Sequence, residues 1–326
     1  APLRLDEREV AYVSASVGIS IYPEDGTTPP DLVRNAEHAM YLAKHAGRGR
    51  FEYFTPSLQQ QARIRLMLTN DLRQALARNQ LELYYQPIVE VASGRIRKAE
   101  TLLRWLHPQQ GLISPARFIP LAEEAGLINQ IGDWVLREAI ASADRWRSKY
   151  GSVIELSVNI SPVQFGESGR PAWLELLVRS QLPPNSITVE ITEGVLVSDT
   201  DQVKECLRTL HANGTRVSID DFGTGFSALS YLKRFDVDYL KIDKSFVNHM
   251  AENGNDKALT EAIIDIAHRL GIEAIAEGVE SLAQRDMLAD FGCDYIQGHF
   301  YSQAVTKEAF ERLLEQQMQQ VQQVPH

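Results

Sequence analysis

A chain of 326 residues, 44% hydrophobic and 23% charged, has the make-up of a folded protein. Its length suits one large α/β barrel, which takes about 250 residues, plus a smaller unit. The formal net charge of -10 argues against broad attraction to nucleic acid or an anionic membrane, but it leaves room for a small anionic ligand held by metal ions and a few local cations.

From Ser14 to Tyr22, alternating small and apolar residues predict a strand, ended by the turn residues Pro23 to Gly26. Leu32, Val33, Ala36, Ala39, Met40 and Ala43 then share one face of a helix over 30–45, closed by Gly47 and Gly49, and FEYF at 51–54 follows as a second strand. Such a β-α-β segment buries too little apolar surface to fold alone, so residues 1–56 read as the tail of a domain whose front half is missing. A helix near Ser57 to Asn79, with 57–69 as the connector, leads into a barrel expected at 70–318, and a tail at 319–326 ends the chain.

Within the barrel the strand candidates are 81–89, 96–105, 153–160, 187–192, 216–222, 239–246, 272–279 and 295–298. Helical stretches fall at 129–149, 173–181, 200–212, 255–270, 281–291 and 306–317, and the Gln-rich end is expected to continue as a fraying helix. This alternation predicts an α/β fold, a TIM-like (β/α)8 barrel behind a short α/β N-terminal fragment. Only Ala92, Ser93 and Gly94 join the first two strands, too few for a parallel crossover, so the first strand is expected to be antiparallel. The cysteines Cys206 and Cys293 stand far apart without CxxC spacing, which supports neither a zinc site nor a disulfide framework. No run nears the roughly 18 apolar residues of a membrane span and no signal-peptide layout opens the chain, so a cytoplasmic location is expected, with any membrane attachment in upstream sequence.

Barrel enzymes place their chemistry at the C-terminal strand ends, where polar residues are costly unless they bind something. In this chain Glu100, Asn159, Glu190, Asp220, Asp221, Lys241, Asp243, Glu277, Glu280 and Gln297 occupy such positions. A single acid there is ordinarily a solvated strand end or a helix cap; recurrence on successive strands points to a site. Converging carboxylates repel one another, and an oxygen-only donor set favours hard ions such as Mg2+ or Mn2+. The neighbours Asp220 and Asp221 suit a pair of ions with one carboxylate shared, the arrangement that hydrolyses phosphodiesters. Lys241 is either a surface salt-bridge partner or the group that orients the attacking water, and Glu277 is placed to take its proton. Glu193 reads equally as an acidic N-cap or as an anchor for the glycine-bearing loop after Asp221. Arg104 is either a structural strand-end arginine, the commoner case, or a bidentate fork for phosphate, and Gln86 offers a contact to a base edge or a backbone carbonyl. No GxSxG elbow supports a serine nucleophile.

In order along the chain, YYQPIV (84–89), ETLLRW (100–105), SVNIS (157–161), VEITE (189–193), DDFGTGFSALSYL (220–232), LKIDKSFV (240–247), IAEGVE (275–280) and QGHFYS (297–302) resemble the EAL-domain cyclic-di-GMP phosphodiesterases. SVGISIYPEDG and NAEHAMYLAKHAGRGR ahead of them resemble the C-terminal part of a GGDEF domain without its signature loop, so no cyclase activity is expected of this chain. The resemblance implies hydrolysis of cyclic di-GMP to linear pGpG with two Mg2+ or Mn2+ ions. It implies Glu100, Asn159, Glu190 and Asp220 on one ion, with Asp220 shared and Asp221 on the second, and Lys241 and Glu277 activating water. It further implies Gln86, Arg104, Glu280 and Gln297 at the dinucleotide, Glu193 as loop anchor, and a homodimer paired through the barrel. A catalytically silent cyclic-di-GMP receptor signalling through a partner, and a hydrolase of another phosphodiester, are the competing readings. The namesake triplet reads Glu100-Thr101-Leu102, with threonine in place of alanine; on a strand the middle residue points away from the metal, so it is expected to be tolerated.

Overall fold

A computed structural model describes residues 2–4, 10–12, 14–45, 47, 49–151, 153–166, 171–197, 200–223, 232 and 234–323. The chain divides into two compact units, Ala1–Gln74 and Ala75–His326.

In the first unit, β1 (Pro2–Arg4) and β2 (Val10–Tyr12) pair antiparallel. The expected β-α-β follows as β3 (Val17–Ile19), helix α1 (Pro29–His45) and β4 (Phe51–Tyr53), with β3 and β4 parallel. The strand is shorter than the Ser14–Tyr22 alternation predicts. Helix α1 lies so close on β3 that a Cβ on Gly18 would fall 1.8 Å from the Ala36 carbonyl oxygen. The connecting stretch is helical as α2 (Pro56–Ala75).

The second unit is a closed barrel. Its strands run β5 (Leu81–Glu90), β6 (Ile96–His107), β8 (Glu155–Asn159), β9 (Ile187–Thr192), β10 (Arg216–Phe222), β11 (Tyr239–Ile242), β12 (Glu273–Ala276) and β13 (Tyr295–Gln297), and β13 returns to β5. Every neighbouring pair is parallel except those made by β5, which runs antiparallel to both β6 and β13. The hairpin closes with Gly94 at φ 67, a left-handed conformation that glycine adopts without a Cβ clash. Two short strands, β7 (Gly111–Ile113) and β14 (Val305–Thr306), pair with β6 and β5 outside the ring.

Branched and aliphatic residues on alternate positions, such as Ile187, Val189 and Ile191 on β9, are buried toward the surrounding helices. The helices begin and end on readable signals. Helix α4 (Ile128–Tyr150) stops at Gly151 with φ 67, whose N–H bonds the Arg147 carbonyl. The helix Asp201–Ala212 starts from the Thr200 hydroxyl, and Leu282–Asp290 starts from a reciprocal Ser281/Gln284 capping box. Helix Lys307–Gln323 carries the Gln-rich stretch. Helix α3 (Pro115–Glu124) is absent from the predicted elements because Pro120 lies inside it; Ser114 followed by Pro115 at the first position is the start signal that marks it. The strand expected over 239–246 ends at Ile242, because Asp243 caps a helix at Lys244–His249 by accepting a hydrogen bond from the Ser245 N–H at 2.9 Å.

Candidate active site

Side chains from strands that are not neighbours can meet only inside the barrel, and at its C-terminal end they meet on Lys241. The Lys241 side chain is 1% exposed, and its Nζ lies 2.7 Å from Glu277, 2.9 Å from Glu190, 3.0 Å from Asp220 and 3.5 Å from Glu100. The surface salt-bridge alternative is thereby removed. Burial alone would lower the Lys241 pKa, but Glu100, Glu190, Glu277 and Asp220 around it hold it well above the usual lysine value. Burial raises Glu190 well above the carboxylate range against the pull of Lys241, and pushes Glu277 up to about 7, with Lys241 again opposing and Glu100 and Asp220 adding to the rise.

The remaining polar groups build outward from Glu100. Asn159 Nδ2 donates to Glu100 Oε1 at 2.8 Å, and Gln297 Nε2 donates to Glu100 Oε2 at 2.7 Å and to Gln86 Oε1 at 3.1 Å. Gln86 sits opposite Glu100 in the β5–β6 register and donates to the Ser302 carbonyl at 3.3 Å. Thr101, with its back to this cluster, donates its hydroxyl to the Ser157 carbonyl at 2.7 Å. The extra polar atom in the namesake triplet is thus satisfied on the outer side of the strand.

Adjacent residues on a strand point to opposite faces, so Asp220 and Asp221 should not serve one site. A bulge brings them together. Between β10 and β11, Ile219 pairs with Leu240 but Phe222 pairs with Ile242, which leaves one extra residue on β10, and Asp221 takes up a left-handed φ of 54. Oxygens of Asp220, Asp221 and Glu277 then lie within 4.8 Å of one another, a grouping able to hold a metal ion. Burial, Asp220 and Asp243 raise the Asp221 carboxyl above its ordinary value. Asp243, anticipated within a strand, is thus a cap whose charge also faces Asp221.

Other expected residues stand further out. Arg104 lies 5.5 Å from the Tyr84 ring centroid and donates to the Leu103 carbonyl at 3.0 Å, with burial lowering its pKa. It is on the same face of β6 as Glu100 but not in the Lys241 cluster. Glu280 lies on the exposed rim, its Oε1 4.0 Å from His299 Nδ1. Glu193 is buried in the first turn of a five-residue helix, Glu193–Val197. The loop it is expected to anchor, over residues 224–231, lies outside the described residues.

Two backbone segments fix the geometry between Glu277 and Gln297. Val279 N–H bonds the Gln297 carbonyl at 3.1 Å, and Phe300 N–H bonds the Val279 carbonyl at 2.9 Å. They pass so closely that a Cβ on Gly298 would lie 2.1 Å from the Val279 oxygen. Gly298→Ala should therefore lower stability by about 1–3 kcal/mol, measured by urea unfolding; an unchanged midpoint would contradict the close approach.

The family model described as "EAL domain" matches residues 69–304, and the one described as "Diguanylate cyclase, GGDEF domain" matches residues 3–50. The chain is 42% identical over 308 residues to the bifunctional diguanylate cyclase/cyclic di-GMP phosphodiesterase MucR of Pseudomonas aeruginosa, covering 94% of this chain and 45% of MucR. It is 38% identical over 312 residues to the cyclic di-GMP phosphodiesterase PdeR of Escherichia coli, covering 95% of this chain and 47% of PdeR. The chain thus spans less than half the length of these relatives. A solved structure, "PaMucR Phosphodiesterase, c-di-GMP complex", superposes with a TM-score of 0.70 at 42% identity, covering 75% of this chain and 99% of that one. Barrel, site geometry and matched sequence agree: the chain belongs to the EAL-domain family, with GGDEF-domain sequence ahead of the barrel.

Proposed function

We propose that the barrel hydrolyses one phosphodiester bond of cyclic di-GMP to linear pGpG, using two Mg2+ or Mn2+ ions. The observation that carries this is the convergence of Glu100, Glu190, Asp220 and Glu277 on the single ammonium of Lys241, with Asp221 beside them. Such a cluster has too much negative charge for its one internal cation. Glu190 Oε1 and Gln297 Oε1 are also buried without a hydrogen-bond partner, as oxygens awaiting a cation would be. The donor set is entirely oxygen, which fits a hard divalent ion.

Glu100, Asn159, Glu190 and Asp220 would hold one ion, and Asp220 with Asp221 the other. When bound, the ions polarise the phosphate and lower the pKa of the attacking water. The chain's own groups do the rest. Glu277, whose carboxylate is held close to Lys241, accepts the proton released as water adds to phosphorus, and the sugar oxygen freed when the P–O bond breaks takes up a proton from solvent to become a hydroxyl. Lys241 offsets negative charge that builds on the phosphate. Gln86, Gln297, Arg104 and Glu280 are assigned to contacts with the dinucleotide, and Glu193 to the loop after Asp221.

Purified protein with Mg2+ should convert cyclic di-GMP to pGpG, resolved by chromatography, with EDTA stopping the reaction and added Mn2+ restoring it. Tight binding without turnover under these conditions would make the barrel a receptor instead.

A further inference from the structure

Beneath the site, toward the N-terminal end of the barrel, lies a second buried polar layer to which no role has yet been given. Lys98 and Glu155 are 2% and 6% exposed. Lys98 Nζ donates to Glu155 Oε2 at 2.7 Å and to the Tyr239 hydroxyl. Tyr239 in turn donates to Glu155 at 3.2 Å, and the Thr188 hydroxyl donates to the other Glu155 oxygen. The Lys98 ammonium also sits 3.6 Å from the Tyr239 ring centroid and 4.6 Å from that of Tyr295. At the mouth, Arg216 lies 3.6 Å from Glu155 and 3.8 Å from Glu273.

The position of these residues in the strands is the telling feature. Inward side chains recur every second residue, so each member of the layer lies below a residue of the upper site on the same strand. Lys98 is two residues before Glu100 on β6, Thr188 two before Glu190 on β9, and Tyr239 two before Lys241 on β11; Glu155 is four before Asn159 on β8. Four strands that supply the upper cluster are thus tied to one another by a single hydrogen-bonded network, one inward step down on three of them and two on β8.

A buried ion pair is weak evidence for stability, because desolvation offsets much of its attraction, and its best-attested use is to fix register. We propose that the Lys98–Glu155–Tyr239–Thr188 network is a positioning layer, which sets the separation of Glu100, Asn159, Glu190 and Lys241 across the barrel and thereby the affinity of the metal site. This rests on the two-metal reading above. These residues touch neither metal nor substrate. They act through the strands, as outer partners act on ligands when they hold them in orientation.

The test compares Mn2+ affinity, by calorimetry on the full chain, in wild type, Lys98→Met, Tyr239→Phe and the control Tyr85→Phe. Tyr85 loses a hydroxyl of the same kind, hydrogen-bonded to Ser142 at 2.8 Å, but on the outer side of β5 against Trp146 and Phe310. Lys98→Met should weaken Mn2+ binding by about 10-fold, Tyr239→Phe by less, and Tyr85→Phe not at all. Tyr239→Phe keeps the ring and the fold should Lys98→Met fail to accumulate. Equal Mn2+ affinity in wild type and Tyr239→Phe, or an equal loss in Tyr85→Phe, overturns the positioning role. Wild-type protein that binds no Mn2+ overturns the metal reading beneath it, a result distinct from either.

Discussion

Glu277→Gln protein should bind cyclic di-GMP and Mn2+ with affinity close to that of wild type yet turn over about 10²–10⁴-fold more slowly, the range lost when a positioned general base is removed. The amide keeps the size of the side chain and can still accept from Lys241, 2.7 Å away, so the packing around Lys241 persists. What disappears is a carboxylate beside Lys241 that hydrogen bonds from Asn159 and Gln297 do not occupy, as they do Glu100, that is not fully buried against the lysine, as Glu190 is, and that is not assigned to both ions, as Asp220 is. Calorimetry and a single-turnover assay on the same sample separate the two effects. Parallel loss of metal binding and turnover would instead make Glu277 chiefly a ligand, a role its place beside Asp220 and Asp221 also permits.

Lys241→Met should have the largest effect on stability. Methionine fills a similar volume but leaves Glu100, Glu190, Asp220 and Glu277 converging on no cation. Breaking a buried pair by removing one partner costs about 3–5 kcal/mol. Because ligands bound only to the folded state add stability, Mn2+ should recover part of this loss, and thermal melts with and without the ion should diverge more in Lys241→Met than in wild type. Identical melts with and without Mn2+ in both proteins would count against a cation in the cluster. Turnover should be lost in the variant whichever way the melts fall, since the proposed reaction needs the charge of Lys241 at the phosphate.

The barrel was legible because its strands carry two signals at once. In β9 and β10 the predicted and observed ends coincide at 187–192 and 216–222, where buried aliphatics alternate with polar residues and Gly214 or Pro184 interrupts the preceding chain. Where the alternation ran past its true end, a cap had taken over. The hydrophobic character of Phe246 prolongs the expected strand beyond Ile242, but the Asp243 side chain begins a helix there. The site was visible as acids at strand ends, since polar residues at those positions are hard to explain otherwise. Its floor was not. Lys98, Glu155 and Arg216 stand at the beginnings of strands, where a charged residue is ordinarily solvated, and only the closure of the ring shows Lys98 meeting Tyr239 from the far side of the barrel. Distance across a barrel has no counterpart in local periodicity.

The extra residue in β10 makes the site sensitive to spacing as well as to composition. A strand counts in twos, and the bulge between Ile219 and Phe222 inserts a half-step that lets two successive aspartates face the same way. Deleting Phe222, which keeps both aspartates, would restore the even count and turn one of them out toward the helices. A variant retaining every residue of the cluster would then be out of phase, and its defect would be one of reading frame in space rather than of missing side chains.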